Sequence, residues 1–202
     1  MLAKRAAPQR AHGASNRVRI IGGQYRRRLL DFPDGAGLRP TPDRVRETLF
    51  NWLGQDLSGL DCLDLFAGSG VLGFEAASRG AARVVMVERE RETLARLRAN
   101  RAALGALQVE IVPGDALEYL ARSGERFDVV FLDPPFRQNA LPAVLAGLAS
   151  HLRPAARVYL EAAQPLELGA PWEELRRKRA GHVSYQLIRW SADDTSRLSG
   201  DV

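Results

Sequence analysis

The chain contains a single cysteine, Cys62, among its 202 residues, so it can form no internal disulfide, and the apolar run around Cys62 makes that thiol plain core. Histidine is scarce too. His12, His151 and His182 are scattered without metal-ligand spacing, and no metal is expected. No apolar run approaches the roughly 20 residues that span a bilayer, and the N-terminus carries charge but no apolar segment of the export type. A protein without membrane contact, located in the cytoplasm, is the expectation. Acids are absent from the first thirty positions, which hold Lys4, Arg5, Arg10, Arg17, Arg19, Arg26, Arg27 and Arg28, a charge of +8. The whole chain is +5, so residues 31–202 sum to −3. The basic character belongs to one end, which suits a polyanionic partner held there.

At 46% hydrophobic residues the chain can bury one sizeable core. Residues 1–16, rich in Ala, Pro, Gln, Gly and Ser, read as a disordered basic tail. Residues 17–40 form an extension: Val18 and Ile20 alternate with Arg17 and Arg19, then Gly22-Gly23 offers a turn into Tyr25, Arg26, Arg27, Arg28, Leu29 and Leu30. This predicts a β-hairpin with arginines on one face, and arginines beside Tyr25 suit RNA. A helix is expected from Pro42 to Leu53, capped by Thr41, with an apolar stripe of Val45, Leu49, Trp52 and Leu53. Beyond Leu60, strands at 61–66, 83–88, 108–112, 127–132 and 156–161 alternate with helices at 71–79, 90–104, 115–122 and 139–152. Such alternation means βαβ units in a doubly wound, Rossmann-like, mainly parallel α/β sheet. A C-terminal antiparallel hairpin within 166–190 closes the edge of this 41–190 domain, and 191–202 read as a frayed tail.

Chemistry is concentrated at strand ends. Phe127 to Leu132 is β-branched and aromatic, a strand buried on both faces, and it stops at Pro134, which cannot donate to a ladder. Asp133-Pro134-Pro135-Phe136 then joins a carboxylate, a prolyl carbonyl and a flat ring, groups able to grip a planar ligand bearing an exocyclic amine. A Pro-Pro loop stop with a solvated acid is the alternative. In Asp64 to Gly73, Gly68, Gly70 and Gly73 match the G-x-G-x-x-G pattern between strand and helix, where an open α/β sheet binds nucleotide-like ligands. The glycines alone also fit a nicotinamide cofactor or close helix packing. Asp64, Glu88, Asp115 and Asp133 fall at or just past four predicted strand ends and should crowd one rim. Such a rim repels the phosphates of a dinucleotide. S-adenosylmethionine suits it better, with a cationic sulfonium and ammonium, a ribose diol for Glu88, an adenine amine for Asp115, and one carboxylate for the backbone N–H groups of Gly68 to Gly70. Methyl transfer to an amine is the resulting reading; a nicotinamide oxidoreductase and a noncatalytic RNA-binding module are its rivals.

These motifs resemble class I S-adenosylmethionine-dependent amino-methyltransferases. Arg19-Ile20-Ile21-Gly22-Gly23, Gly37-Leu38-Arg39-Pro40-Thr41, Asp43 to Leu53 and Ser78-Arg79-Gly80-Ala81 narrow the resemblance to the RsmD family, the 16S ribosomal RNA guanine(966)-N(2)-methyltransferases of bacteria. It runs from about Arg17 to Trp190. The resemblance implies Asp133, Pro134, Pro135 and Phe136 as catalytic residues. It implies cofactor contacts at Asp64, Phe66, Ala67, Gly68, Ser69, Gly70, Gly73, Glu88, Arg89, Asp115, Ala116 and Asp133, with S-adenosylhomocysteine as product. RNA contacts are implied at Arg17, Arg19, Tyr25, Arg26, Arg27, Arg28, Arg39, Thr41, Arg44 and Arg46. The partner would be 16S rRNA or the 30S subunit, met by a monomer. The Asp-Pro-Pro-Phe signature leaves another rRNA guanine or a DNA adenine open as the base.

Overall fold

The computed structural model describes residues 15–34, 40–135 and 140–191. The expectations for most of the basic tail, for Arg39 and Phe136, and for 192–202 lie outside these residues. The described chain runs β1 (Ser15–Arg19), β2 (Leu29–Pro33), α1 (Asp43–Leu53), β3 (Asp61–Asp64), α2 (Val71–Ser78), β4 (Arg83–Glu88), α3 (Arg91–Leu104), β5 (Val109–Pro113), α4 (Ala116–Arg122), β6 (Phe127–Leu132), α5 (Leu141–Leu148), β7 (Leu152–Ala162), β8 (Trp172–Ala180) and β9 (Val183–Trp190). β3 to β9 form one seven-stranded sheet in the order β5-β4-β3-β6-β7-β9-β8. β5, β4, β3, β6 and β7 are parallel; β9 is antiparallel to both of its neighbours. This is the expected doubly wound sheet with its C-terminal hairpin. The direction of winding reverses between β3 and β6, and a crevice opens beyond the carboxyl ends of strands at such a reversal.

Alternation along β6 shows why this strand is central. Val129 and Phe131 belong to the core on one face of the sheet, Val130 and Leu132 to the core on the other. Each such side chain stabilises the fold by about 1.5–3 kcal/mol on burial. Cys62, fully buried in β3, is core as expected, and burial pushes its thiol pKa up. Two boundaries differ from the sequence reading by four residues. The helix expected over 139–152 ends at Leu148 and a 3-10 turn covers Ala149–His151, after which β7 starts four residues early. His151 fixes that turn, because its ring nitrogens lie 2.9 Å from the carbonyls of Glu125 and Leu120.

β1 and β2 pair antiparallel, Arg19 opposite Leu29, as a separate two-stranded sheet. Ser15 and Asn16 already belong to it, so β1 begins inside the expected tail. Gly22-Gly23 is not the hairpin turn. The whole segment 20–28 joins the strands and docks on the end of α2, where Ser78 O accepts from Gln24 N at 2.7 Å and Ser78 Oγ from Tyr25 N at 2.8 Å. At Gly23 a Cβ would lie 1.8 Å from Ser78 O, and φ is +70°, so only glycine allows this approach. The Gly22-Gly23 and Ser78 motifs, far apart in sequence, are two halves of one joint.

α1 also departs from its predicted face. Phe50 is buried where Trp52 was expected, and Trp52 stacks at 5.4 Å against Tyr185 at the edge of the core. Arg46, expected on RNA, is 0% exposed and therefore is no surface contact. Its guanidinium donates to Glu75 Oε1 at 2.5 Å, to Asp43 Oδ1 at 2.5 Å and to Thr41 O at 3.0 Å. Glu75 Oε1 in turn accepts from Ile21 N at 2.6 Å. Removing one member of a buried pair strands the other charge. Arg46→Ala is predicted to lower the unfolding free energy by about 3–5 kcal/mol in urea titrations, while the exposed Arg44→Ala stays within about 0.5 kcal/mol of wild type.

Candidate active site

The site assembles where β3, β4, β5 and β6 end. Asp64 closes β3, Glu88 closes β4, Asp115 opens α4 after β5, and Asp133 follows β6. The rim is not uniform, because Asp64 is 2% exposed and lies behind the glycine loop, not on an open edge. Its Oδ2 accepts from Gly73 N at 3.0 Å, tying β3 to the first turn of α2. Gly73 has no room for a side chain: a Cβ would lie 2.4 Å from Met86 Cε and 3.2 Å from Asp64 Oδ2. Burial, opposed by the Gly73 hydrogen bond and reinforced by the Glu88 charge, raises the Asp64 pKa to about 7.

Glu88 is held by backbone donors. Its Oε2 accepts from Gly68 N at 2.9 Å and its Oε1 from Arg89 N and Glu90 N at 2.8 Å each. The Gly68 N–H expected to receive a ligand carboxylate is therefore engaged, and Gly70 N donates to Ala67 O at 2.6 Å. Those two donors do not form the expected anion seat. Asp115 is the N-cap of α4, accepting from Leu117 N at 2.8 Å and Glu118 N at 3.4 Å through Oδ1. Phe66, Gly68, Glu88, Asp115 and Asp133 stay partly accessible, whereas Ala67, Ser69, Gly70, Gly73 and Ala116 are buried supports and Arg89 is exposed, paired with Glu90. Among the described residues no Lys or Arg forms an ion pair with Asp64, Glu88, Asp115 or Asp133. Among the described residues the rim is an acidic surface without a paired cation.

Asp133 occupies the switch point itself. Pro134 beside it is buried and Pro135 is exposed. The nearest described donor to the Asp133 carboxylate is the Thr41 hydroxyl, 3.5 Å from Oδ2, a distance too long for a strong O–H···O bond. Thr41 was expected to cap α1 and to face RNA. It does neither: α1 starts after Pro42 without a side-chain cap, and Thr41 is 3% exposed, donating to Glu161 Oε1 at 3.0 Å. Glu161 on β7, 5% exposed, also accepts from the Tyr159 hydroxyl at 2.8 Å. Burial first, then the charges of Glu161 and Asp64, push the Asp133 pKa well above the usual carboxylate range, and burial raises Glu161 as well. Glu161 was missed by the sequence reading, although a signal existed. It ends the predicted strand 156–161 as Glu88 ends 83–88, and Leu132 pairs with Leu160, so the following residues Asp133 and Glu161 stand side by side.

The basic end divides into held and open arginines. Arg17 pairs with Asp31 at 2.9 Å, Arg19 with Asp43 at 3.3 Å, and Arg28 donates to Ala103 O at 2.8 Å. Arg26, Arg27 and Arg44 are exposed, and among the described residues they form no ion pair. A groove of about 380 Å³ lies between this sheet and the approach to α1, lined by Arg17, Phe32, Pro40 and Thr41 among others.

A doubly wound sheet with a glycine turn after its first strand, an acidic rim and Asp-Pro-Pro at the switch point defines a class I S-adenosylmethionine-dependent methyltransferase. The family described as Conserved hypothetical protein 95 matches residues 18–189. Ribosomal RNA small subunit methyltransferase D of Escherichia coli K12 is 43% identical over 192 residues, covering 92% of this chain and 96% of its own. The solved structure of the Escherichia coli protein yhhF superposes with a TM-score of 0.80 at 43% identity, covering 88% of this chain and 99% of that one. A Salinibacter ruber RNA methyltransferase solved with S-adenosyl-L-homocysteine shares the fold at a TM-score of 0.58 and 22% identity, covering 75% of this chain and 94% of its own. The chain belongs to the RsmD family.

The elevated Asp64 pKa sets a stability slope. The unfolded carboxyl, with a pKa near 4, is ionised over a range in which the folded one keeps its proton. Stability from this group is therefore full below about pH 4 and is lost as pH rises to about 7. Asp64→Asn, which keeps an acceptor for Gly73 N, is predicted to flatten this part of the thermal-midpoint profile and to raise the midpoint above wild type at pH 7.

Proposed function

We propose that the protein transfers the methyl group of S-adenosylmethionine to the exocyclic N2 amine of guanine 966 in bacterial 16S rRNA, within the small subunit or an assembly intermediate. The observation that carries this reading is Asp133: an acceptor at the sheet's switch point with only one long contact to a described donor, beside a prolyl carbonyl that has no N–H of its own. Its relatives' name, ribosomal RNA small subunit methyltransferase D, supports rRNA as the substrate class.

The residues fit the cofactor. A rim of carboxylates with no ion-paired cation among the described residues favours a ligand that is positively charged, and it disfavours the two phosphates of a nicotinamide dinucleotide. Glu88, whose oxygens retain some lone-pair capacity after three backbone donors, would take the ribose diol; Asp115 would take the adenine amine through the oxygen not used in capping α4. Bound there, S-adenosylmethionine supplies an electrophilic methyl group and leaves as S-adenosylhomocysteine.

The chain's part is alignment. Asp133 and the Pro134 carbonyl accept the two amine hydrogens of guanine, drawing the nitrogen lone pair out of conjugation with the ring and toward the donor. Phe136, beyond the described residues, would stack on the base. No base stronger than this is required before attack, since the proton leaves as the N–C bond forms, and positioning supplies most of the acceleration. The guanine must be unpaired or flipped, at a cost of a few kcal/mol, unless the RNA already presents it. Arg26, Arg27 and Arg44, with Arg17 and Arg19 after exchange of their exposed carboxylate partners, would hold phosphates on the basic end of the chain.

Asp133→Ala is predicted to cut single-turnover methylation by about 10²–10³-fold while S-adenosylmethionine still binds by calorimetry, as expected when one preorganised polar contact to the transition state is lost. In the same assay, Arg26→Ala with Arg27→Ala lowers the slope of log affinity against log salt by about 2 if both hold phosphates. Wild-type methylation by Asp133→Ala contradicts the assignment.

A further inference from the structure

Asp133 and Glu161 are joined through one hydroxyl. Thr41 Oγ1 lies 3.0 Å from Glu161 Oε1 and 3.5 Å from Asp133 Oδ2, and Tyr159 donates to the same Glu161 oxygen at 2.8 Å. Three elements meet to make this chain: the residues leading into α1, the end of β6 and the end of β7. Among the described residues, every ionisable group facing it is an acid or a phenol except one. Asp64 stands beneath on β3, Tyr159 beside Glu161 on β7, and Tyr185 behind them on β9. The one cation is Arg46 of α1, which reaches Thr41 only at its backbone carbonyl and is already occupied by Glu75 and Asp43. Two adjacent carboxylates with no cation between them do not both ionise readily; such pairs share a proton. Glu161 holds two hydroxyl donors, and the one Thr41 proton engaged there is not available to Asp133, so the arrangement favours the shared proton on Asp133 and the charge on Glu161.

We propose that Glu161, acting through Thr41, is the proton-sharing partner of Asp133, so that the two carboxyls form one site that releases its proton when the cationic methyl donor binds and takes up the proton shed by the guanine amine. The proposal deepens the methyltransferase reading and rests on it. Charge balances at each stage. Opposite a cationic donor the pair carries two negative charges, and Asp133 is the ionised acceptor that the amine needs. As the N–C bond forms and the C–S bond breaks, the sulfonium charge disappears and the amine nitrogen sheds one proton. Asp133 accepts it; Thr41 can receive that proton while passing its own hydroxyl proton to Glu161, which frees Asp133 again. In this scheme Glu161 touches no substrate and is a positioning residue. The burial of an acid at the end of β7, which the sheet alone does not require, becomes part of the reaction.

The test uses the full-length chain with 13C-labelled Asp and Glu carboxyls, titrated by NMR without cofactor or RNA, together with the pH dependence of single-turnover methylation of 16S rRNA. Glu161→Gln removes the negative charge beside Asp133, so the Asp133 midpoint falls by about one pH unit or more. The acid limb of the rate profile moves down with it, and the plateau rate drops about tenfold or more because the proton taken by Asp133 has lost its onward path through Thr41 to Glu161. An unchanged Asp133 midpoint, or an unchanged plateau, overturns the proposal. Should Glu161→Gln fail to fold, Tyr159→Phe provides the second variant: losing its donor raises the Glu161 midpoint, draws the shared proton to Glu161 and lowers the Asp133 midpoint, and no movement there overturns the proposal equally. If the wild-type protein methylates no rRNA guanine, the reading of its function fails, while the NMR titration of the free protein still decides whether the pair shares a proton.

Discussion

The ion pair between Arg46 and Glu75 is the constraint on which the rest of the site hangs. Both side chains are fully withdrawn from solvent, and their polar atoms tie four separate pieces of chain. Glu75 lies on α2, directly after the glycine turn; it accepts from Ile21 N and so fixes the segment that carries the basic residues. Arg46 lies on α1 and holds the Thr41 carbonyl, which places the Thr41 hydroxyl against Glu161 and near Asp133. A hydrophobic contact at this position would pack as well, but it would not fix the direction of the chain entering α1. The pair therefore converts the burial of two helices into the placement of one hydroxyl near the Asp133 carboxylate. Arg79 completes the joint, its guanidinium 4.4 Å over the Phe50 ring and 3.3 Å from Glu75.

The second governing feature is charge left uncompensated. Proteins normally neutralise acids withdrawn from water, and here even the half-buried acids at the opposite end of β3 and β6 are paired: Arg153 bridges Asp61 and Asp128. At the carboxyl ends of the same strands the acids have no such partner among the described residues. The electrostatic strain is confined to the end of the sheet where the glycine turn opens, and a cationic ligand relieves it. Raised carboxyl pKa values there and arginine pairing at the other end are two outcomes of one sheet, separated by the length of a strand.

Much of this could be read from the sequence because the signals were local. The strand Phe127–Leu132 is a run of apolar residues stopped by proline, and the run permits only one burial pattern, both faces covered. The glycine turn and the strand-end acids follow from spacing alone. The misreadings share a different cause, contact between distant segments. Arg46 carries no periodic mark that separates it from Arg44; only the arrival of Glu75 from α2 makes one buried and the other exposed. Thr41 has the composition of a cap, yet the acid on β7 claims its hydroxyl. Gly22-Gly23 has the composition of a hairpin turn, yet its glycines serve the approach to Ser78. Each local rule was overridden by a partner about 30 to 120 positions away, and the site is built from those partners.

Methylation at a defined position is the central claim, and the modified nucleoside itself is its most direct test. The protein and isotopically labelled S-adenosylmethionine are incubated with 16S rRNA and with 30S particles from cells lacking the enzyme, and the product is mapped by mass spectrometry. The account predicts one N2-methylguanosine, at guanine 966, in at least one of the two substrates. Label on adenine, label at another guanine, or no label in either substrate contradicts it.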